Sequence, residues 1–400
     1  MRQTVRQNQS ECTGCGACVS ICPKQAIAMQ ADAEGCLYPK VDAHKCIECD
    51  ACEKRCPAGR VPKEHPPRVW GAQIKEEAIR RASSSGGVFT ALARGVLAKG
   101  GVVFGAAFGE GLRVEHIGAF NEEELAPMRG SKYVQSDATD AIGNAVSLLK
   151  RGIPVMFTGT PCQVDGLLAA LGGKHTEGLL TVDFVCHGVP SPGVFASYIA
   201  QLERDKGQKV KAYTFRDKRL GWKNFSAVAT FEDGTEHKGT QVDEPFLYGF
   251  LQNLYLRPAC HGCTGLRGNR HAADITLADL WGAETLCPGR DDDTGLSLVM
   301  VNTDKGKKAL EACKDQLIRF GGLDVERMMR ANPGLVSAPK PHPKRQAFFR
   351  EYAKHGFDCT HVMRLLAPPG RVERLFRRVA HLPVGALRRI RNRLGIQAKS

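Results

Sequence analysis

Eight of the sixteen cysteines sit in two short runs, "CTGCGACVSICP" and "CIECDACEKRCP". Each reads C-x2-C-x2-C-x3-C-P, through Cys12, Cys15, Cys18 and Cys22 and then Cys46, Cys49, Cys52 and Cys56. Three thiols within seven residues can wrap one corner of an iron–sulfur cubane. Gly14, Gly16, Ala17 and Ala51 keep the intervening backbone bare, so its N–H groups can approach the sulfurs and tune them. Pro23 and Pro57 then turn the chain away. Zinc knuckles space their ligands two plus two, unlike these runs of four. Cys36 fits neither run and reads as a packing thiol.

Four further cysteines carry a second constellation. "PVMFTGTPC" and "TVDFVCHGVP" are successive apolar strands that each deliver a thiol, Cys162 and Cys186, at or just past the strand end. Parallel strands place those ends on one sheet edge, where α/β proteins build sites, and a helix starting at Cys162 favours its thiolate. "CHGC" adds Cys260 and Cys263 among Arg257, Arg267 and Arg270. Four thiolates can hold a third 4Fe–4S cluster or a zinc ion, and His187 or His261 could replace one of them. Two loops suit an anionic cofactor. Ser83, Ser84, Ser85, Gly86 and Gly87 precede a helix and offer a phosphate cradle. "MRGSKYVQS" places Arg129 and Lys132 beside Tyr133.

The elements that must position these residues alternate between helix and strand. Val88, Leu92, Val96 and Leu97 mark an amphipathic helix after the Ser/Gly loop, and "GGVVFGAAF" a buried strand. "DATDAIGNAVSLLKRG" reads as a helix capped by Asp137 or Asp140, and "SPGVFASYIAQLE" as another with Pro192 at its first position. The expected fold is an α/β body with a mainly parallel sheet, preceded by a small α+β two-cluster domain. Expected boundaries are 1–62 for the cysteine-rich head, 63–150 and 151–340 for two parts of the body, and 341–400 for a basic helical tail. "PAGRVPKEHPPR" is the linker after the head.

The paired runs resemble the bacterial two-cluster ferredoxin, whose fourth cysteine in each run ligates the other cluster. That resemblance implies one cluster on Cys12, Cys15, Cys18 and Cys56, and another on Cys46, Cys49, Cys52 and Cys22. From roughly residue 75 to 285, with further similarity to about 335, "SSSGGVFTAL", "RGSKYVQS", "GTPCQVDGL", "DFVCHGVPS" and C-x2-C followed by "DITLADLWG" resemble the coenzyme F-420 hydrogenase and dehydrogenase beta subunits. The resemblance implies a non-covalent FAD beside an intrinsic 4Fe–4S cluster on Cys162, Cys186, Cys260 and Cys263. Ser83 to Gly87, Arg129, Ser131, Lys132, Tyr133, Gln135, Ser136, Thr158 and Gly159 become the flavin candidates. Ala278 departs from the glycine of many relatives, while Asp279 and Trp281 are kept.

The implied function is an iron–sulfur flavoprotein oxidoreductase linking a small reducible substrate, coenzyme F-420 or another, to ferredoxin-type carriers or a redox partner protein. A non-catalytic relay subunit serving a partner enzyme, as in surface polysaccharide synthesis, is the alternative. Nucleic acid is not an expected partner. Ten of the Lys and Arg residues, against Glu373 alone, fall in 361–400, so the other 360 residues carry only +5 of the net +14. In that tail Val372, Leu375, Phe376 and Val379, then Leu387, Ile390 and Leu394, form apolar stripes between arginines that suit docking on the body or on an anionic membrane surface. The N-terminus lacks a signal-peptide core and no apolar run spans a bilayer, so a cytoplasmic location is expected, peripheral at the inner membrane face if the tail binds lipid.

Overall fold

The computed structural model describes residues 9–61, 68–263 and 270–367. The apolar stripes of the tail, and Arg267, lie outside them.

In the head, a short helix (Ala17–Ile21) follows the first cysteines. A hairpin of β1 (Ile27–Ala31) and β2 (Leu37–Val41) comes next, paired from Ile27 opposite Val41 to Ala31 opposite Leu37. Asp32 closes the hairpin by accepting the N–H groups of Glu34 and Cys36, an Asx turn. A one-turn helix (Ala51–Lys54) carries Cys52.

The body is built on an eight-stranded sheet. Its strands are β3 (Val69–Ile74), β4 (Val102–Phe108), β5 (Val114–Ala119), β6 (Val155–Thr158), β7 (Leu179–Phe184), β11 (Ile275–Asp279), β12 (Ser297–Val301) and β13 (Leu317–Phe320). Between β7 and β11 a separate antiparallel sheet forms from β8 (Val210–Asp217), β9 (Ser226–Phe231) and β10 (Glu236–Thr240). The large sheet runs β13-β3-β12-β11-β7-β6-β4-β5. Its centre, β4-β6-β7-β11, is parallel, and both wings are antiparallel. The parallel centre answers the expectation of an α/β body. The wings follow from their connections: only five residues separate β4 from β5, enough for a reversal but not for a crossover helix.

Side-chain alternation along the central strands feeds two cores. Val103, Met156, Leu180 and Val182 meet Val88, Ala91 and Leu92 of the Val88–Leu97 helix, with Leu310 of Asp304–Ala312. On the opposite face Val102, Phe104, Val155, Phe157 and Leu179 meet Ile142 and Ala145 of Thr139–Lys150 and Val164 and Leu167 of Pro161–Leu171. Each buried Val, Leu, Ile, Phe or Met side chain among them contributes about 1.5–3 kcal/mol. A third core, rich in aromatic rings, joins the three-stranded sheet to the helices Pro192–Lys206, Pro245–Leu251, Arg345–His355 and Cys359–Leu366. Phe195, Tyr198, Phe246 and Phe357 pack edge-on or stacked within it. None of the described helices is long and apolar enough to cross a membrane.

Candidate metal centres and their surroundings

Gly14 and Gly16 both adopt left-handed backbone, at φ 67° and 81°, so the first cysteine run coils tightly around its own thiols. Cys12 and Cys15 are buried. The Cys18 thiol is raised by burial first and then by Cys15, Cys12 and Cys56. The Cys15 thiol is pushed up to about 12 by burial, with Cys162, Cys56 and Cys12 adding to it. Cys56 of the second run thus stands among Cys12, Cys15 and Cys18 of the first. The remaining four, Cys22, Cys46, Cys49 and Cys52, line one cavity together with Ala26, Ile27 and Val41. The N–H of Ala26 donates to Cys22 Sγ at 3.3 Å, the kind of bond that tunes a cluster sulfur.

Helix Pro161–Leu171 begins on a capping box: Thr160 and Gln163 satisfy one another's backbone, and Pro161 occupies the first turn. Gln163 Nε2 also donates to the Ser136 carbonyl at 2.9 Å. Cys162 follows, its sulfur 3.1 Å from Thr160 Oγ1. Burial pushes this thiol up to about 11, against the Thr160 hydroxyl.

Cys186 lies two residues beyond β7, the parallel neighbour of β6. Cys260 sits on the short helix Pro258–His261. The 186–190 and 256–260 segments are zipped together: Pro190 bridges Leu256, Arg257 N donates to Val189 O at 2.8 Å, and Val189 N donates to Cys260 Sγ at 3.4 Å. Cys186 is held far up by burial, then by Cys260, Cys162 and Cys263, and Cys260 is pushed up to about 12. All four thiols of the second constellation therefore lie within electrostatic reach of one another. The histidines have other partners. His261 Nδ1 faces Pro339 O at 2.8 Å, and His187 sets its ring edge-on to Phe250. Among the described residues no three His, Cys, Asp or Glu side chains converge closely enough to chelate a single ion, which takes sulfur about 2.3 Å from a common centre.

The two constellations meet. A Cβ added at Gly166, one turn past Cys162, would lie 3.1 Å from Cys15 Sγ. Arg257 fills the space beside them, fully buried. Its Nε donates to Cys12 O at 2.8 Å, and its Nη1 to Leu37 O at 2.9 Å and Gln135 Oε1 at 2.8 Å. The guanidinium lies 4.1 Å over the ring of Tyr38.

The flavin candidates divide into two groups. Ser84 Oγ meets Ser131 Oγ at 2.8 Å, joining the two loops. Ser83 and Ser85 donate to Ile79 O and Leu296 O. Gly86 is locked against β3 and β12, since a Cβ there would lie 2.4 Å from Ala72 O, and Gly87 starts the Val88–Leu97 helix. Arg129 donates to Thr90, and Lys132 Nζ to the carbonyls of Pro127, Arg129 and Gly130. Tyr133 stacks on Phe250 at 4.7 Å. The second group faces inward. Gln135 Nε2 donates to Thr13 O and Gly14 O of the head. Ser136 and Thr158 flank His116, and a Cβ at Gly159 would come 3.1 Å from His116 Nε2.

Three participants were not foreseen from sequence. His116 is one. Buried Arg216, paired at 2.6 Å with the half-buried Asp279 beside Tyr133, is another. The third is Lys218, whose Nζ donates to Arg80 O, Ser85 O and Thr294 O. Both basic residues fall in "FRDKRLGW", which looks like a solvated turn. Trp281 stacks on Trp222 at 4.8 Å and 7°.

Comparison with known proteins gives three family matches. Residues 154–324 match the carboxy-terminal model of the coenzyme F-420 hydrogenase/dehydrogenase beta subunit, and 69–142 match the model of its amino-terminal part. Residues 11–60 match a 4Fe-4S dicluster domain. The F subunit of the F(420)H(2) dehydrogenase of Methanosarcina mazei is 26% identical over 188 residues, 44% of this chain and 53% of that protein. An uncharacterised protein of Methanocaldococcus jannaschii is 26% identical over 198 residues, 42% of this chain and 54% of its own. The chain thus spans about half the length of these curated relatives. A solved chain of the F-420-reducing NiFe hydrogenase complex from Methanosarcina barkeri aligns with a TM-score of 0.48 at 18% identity, covering 72% of this chain and 93% of that one. With both parts of one family model matched in order behind a dicluster domain, the chain carries a 4Fe-4S head and belongs to the family of coenzyme F-420 hydrogenase/dehydrogenase beta subunits.

Proposed function

We propose that the chain is an FAD-dependent iron–sulfur oxidoreductase that exchanges electrons between a small hydride-carrying substrate and a one-electron protein partner. The observation that carries this reading is the contact between the head and the second constellation, where Cys15 lies against the helix that bears Cys162. In this reading Cys12, Cys15, Cys18 and Cys56 hold one 4Fe–4S cluster, and Cys22, Cys46, Cys49 and Cys52 a second. Cys162, Cys186, Cys260 and Cys263 hold a third. The donor sets fit: each offers four thiols, and soft thiolates select iron–sulfur clusters.

Ser84 and Ser131, side by side at the start of the ten-residue Val88–Leu97 helix, suit the phosphates of FAD. A bound flavin supplies the link between two-electron and one-electron chemistry. Around it Lys218 and Lys132 are tied to backbone carbonyls, with burial pulling both ammonium groups down to about 7, and Arg216 is paired with Asp279. Coenzyme F-420, which the name of the Methanosarcina mazei relative indicates for that protein, is the first substrate to try.

Anaerobically purified protein should contain about twelve iron atoms and one FAD, against about eight irons for the head alone. Cys162→Ala should lower the iron content towards eight. A twelve-iron Cys162→Ala protein would remove Cys162 from the ligand set. Absence of flavin after reconstitution would reduce the reading to electron relay.

A further inference from the structure

Arg257 presents a charge with no ordinary counterpart. It is fully buried, and a guanidinium stays protonated in any protein environment. Buried charges are paired or stand beside metal. Among the described residues no carboxylate forms an ion pair with it; its acceptors are two carbonyls and an amide oxygen. Among the described residues its Nη2 is buried and has no hydrogen-bond partner. Carbonyl dipoles and the face of Tyr38 offset only part of the desolvation of such a charge. Something negative is missing from this account, and carboxylates do not supply it.

The placement says what does. Arg257 bonds the carbonyl of Cys12. A Cβ on Gly14, in the same loop, would come 2.7 Å from its Nη1. Along its own chain it stands three residues before Cys260, and its backbone is pinned to Val189, three residues after Cys186. The side chain therefore runs from the second constellation into the loop of the first. Thiols bound to metal are deprotonated outright, so both places carry negative charge once their clusters are bound, and each cluster gains one more on reduction.

We propose that Arg257 is the shared counter-charge of two iron–sulfur clusters, the one on Cys12, Cys15, Cys18 and Cys56 and the one on Cys162, Cys186, Cys260 and Cys263, and that it raises both their reduction potentials. The inference rests on the three-cluster reading above. It makes Arg257 a positioning and tuning residue with no contact to substrate. Among the described residues none of the cysteines of the cluster on Cys22, Cys46, Cys49 and Cys52 is a hydrogen-bond acceptor of the guanidinium, whose acceptors are Cys12 O, Leu37 O and Gln135 Oε1, so that cluster is the reference against which the other two are read.

The test is an EPR-monitored redox titration of the full-length holoprotein, with the outer head cluster identified by its loss in Cys49→Ser. Arg257→Gln should lower the potentials of two clusters by at least a tenfold change in reduction equilibrium, about 59 mV for one electron, and leave the outer cluster unmoved. Arg257→Lys, which keeps the charge, should stay closer to wild type. Should Arg257→Gln lose its iron, Gln135→Glu carries the test instead. It sets a carboxylate against the guanidinium and must lower the same two potentials. Unmoved potentials in a twelve-iron protein would overturn this inference alone, as would an equal fall in all three or an equal effect of Arg257→Lys. A wild-type protein with only eight irons would overturn the three-cluster reading first, and the shared role with it.

Discussion

His116 illustrates how much one unremarked side chain can fix. Its Nε2 lies 2.7 Å from Thr158 O and its Nδ1 2.5 Å from Ser136 Oγ. A carbonyl only accepts, so Nε2 carries the proton and Nδ1 accepts from the serine. Burial pushes the ring down to about 4, against the pull of the Thr158 carbonyl. Between the ordinary histidine value near 6.5 and about 4, the unfolded chain binds a proton that the folded chain refuses. Stability is therefore lost as pH falls through that window, by an amount on the order of 3 kcal/mol in total. Urea unfolding at pH 7 and pH 4.5 should show a smaller acid loss in His116→Gln than in wild type; identical slopes would refute the assignment. The cysteines were legible because their spacing repeats, and metal chemistry demands it. His116 was not, since a lone histidine in "RVEHIGAF" carries no pattern and gains its role from Thr158 and Ser136, neither of them near it in sequence.

At the scale of elements, helix Pro161–Leu171 has two duties. Val164, Leu167 and Leu171 bury its apolar stripe on the sheet, while Gly166 offers a bare face to the head. Gly166→Val would drive a branched side chain into Cys15 and Ala17. Overpacking of this kind costs about 1–3 kcal/mol. The expected result is a lower thermal midpoint together with a broadened or lost EPR signal from the inner head cluster. A wild-type signal in a stable variant would show that the head can retreat without consequence.

The same scale shows which elements the sequence declared. "VVFGAAF", "PVMF" and "LLTVDF" are dense apolar runs closed by glycine or proline, and they became β4, β6 and β7. The helix from Val88 and the proline-started helix from Pro192 were equally plain. The edge strand β10 was not, because "GTEHK" has no apolar face to betray it. Nor could local pattern place β3 between β12 and β13, whose residues lie more than two hundred positions away. The aromatic core from Phe195 to Phe357 has the same cause: its rings come from five separated segments.

For the whole molecule, the head is too small to be self-sufficient. Among its described residues the buried apolar cluster consists of Cys12, Cys36 and Tyr38, and a domain of this size needs metal or a partner surface. The body supplies that surface through Gln135, Arg257 and helix Pro161–Leu171. Calorimetry of the iron-loaded protein should therefore show one cooperative transition for head and body. Anaerobic chelation of the iron should lower its midpoint by several degrees. Two well-separated transitions in the loaded protein would contradict this account.

The hairpin end of the head is also gripped. Ser191 Oγ donates to Glu34 O, Gly193 N donates to Gly35 O, and Arg345 pairs with the Glu34 carboxylate. The approach is so close that a Cβ on Gly35 would lie 2.6 Å from the Cα of Gly193. A domain clamped at its thiol loops and again at its far turn cannot swing on a tether between docking stations. It is a soldered terminal: the separation between head and body is set when the chain folds, and any mobile carrier must come to it from outside.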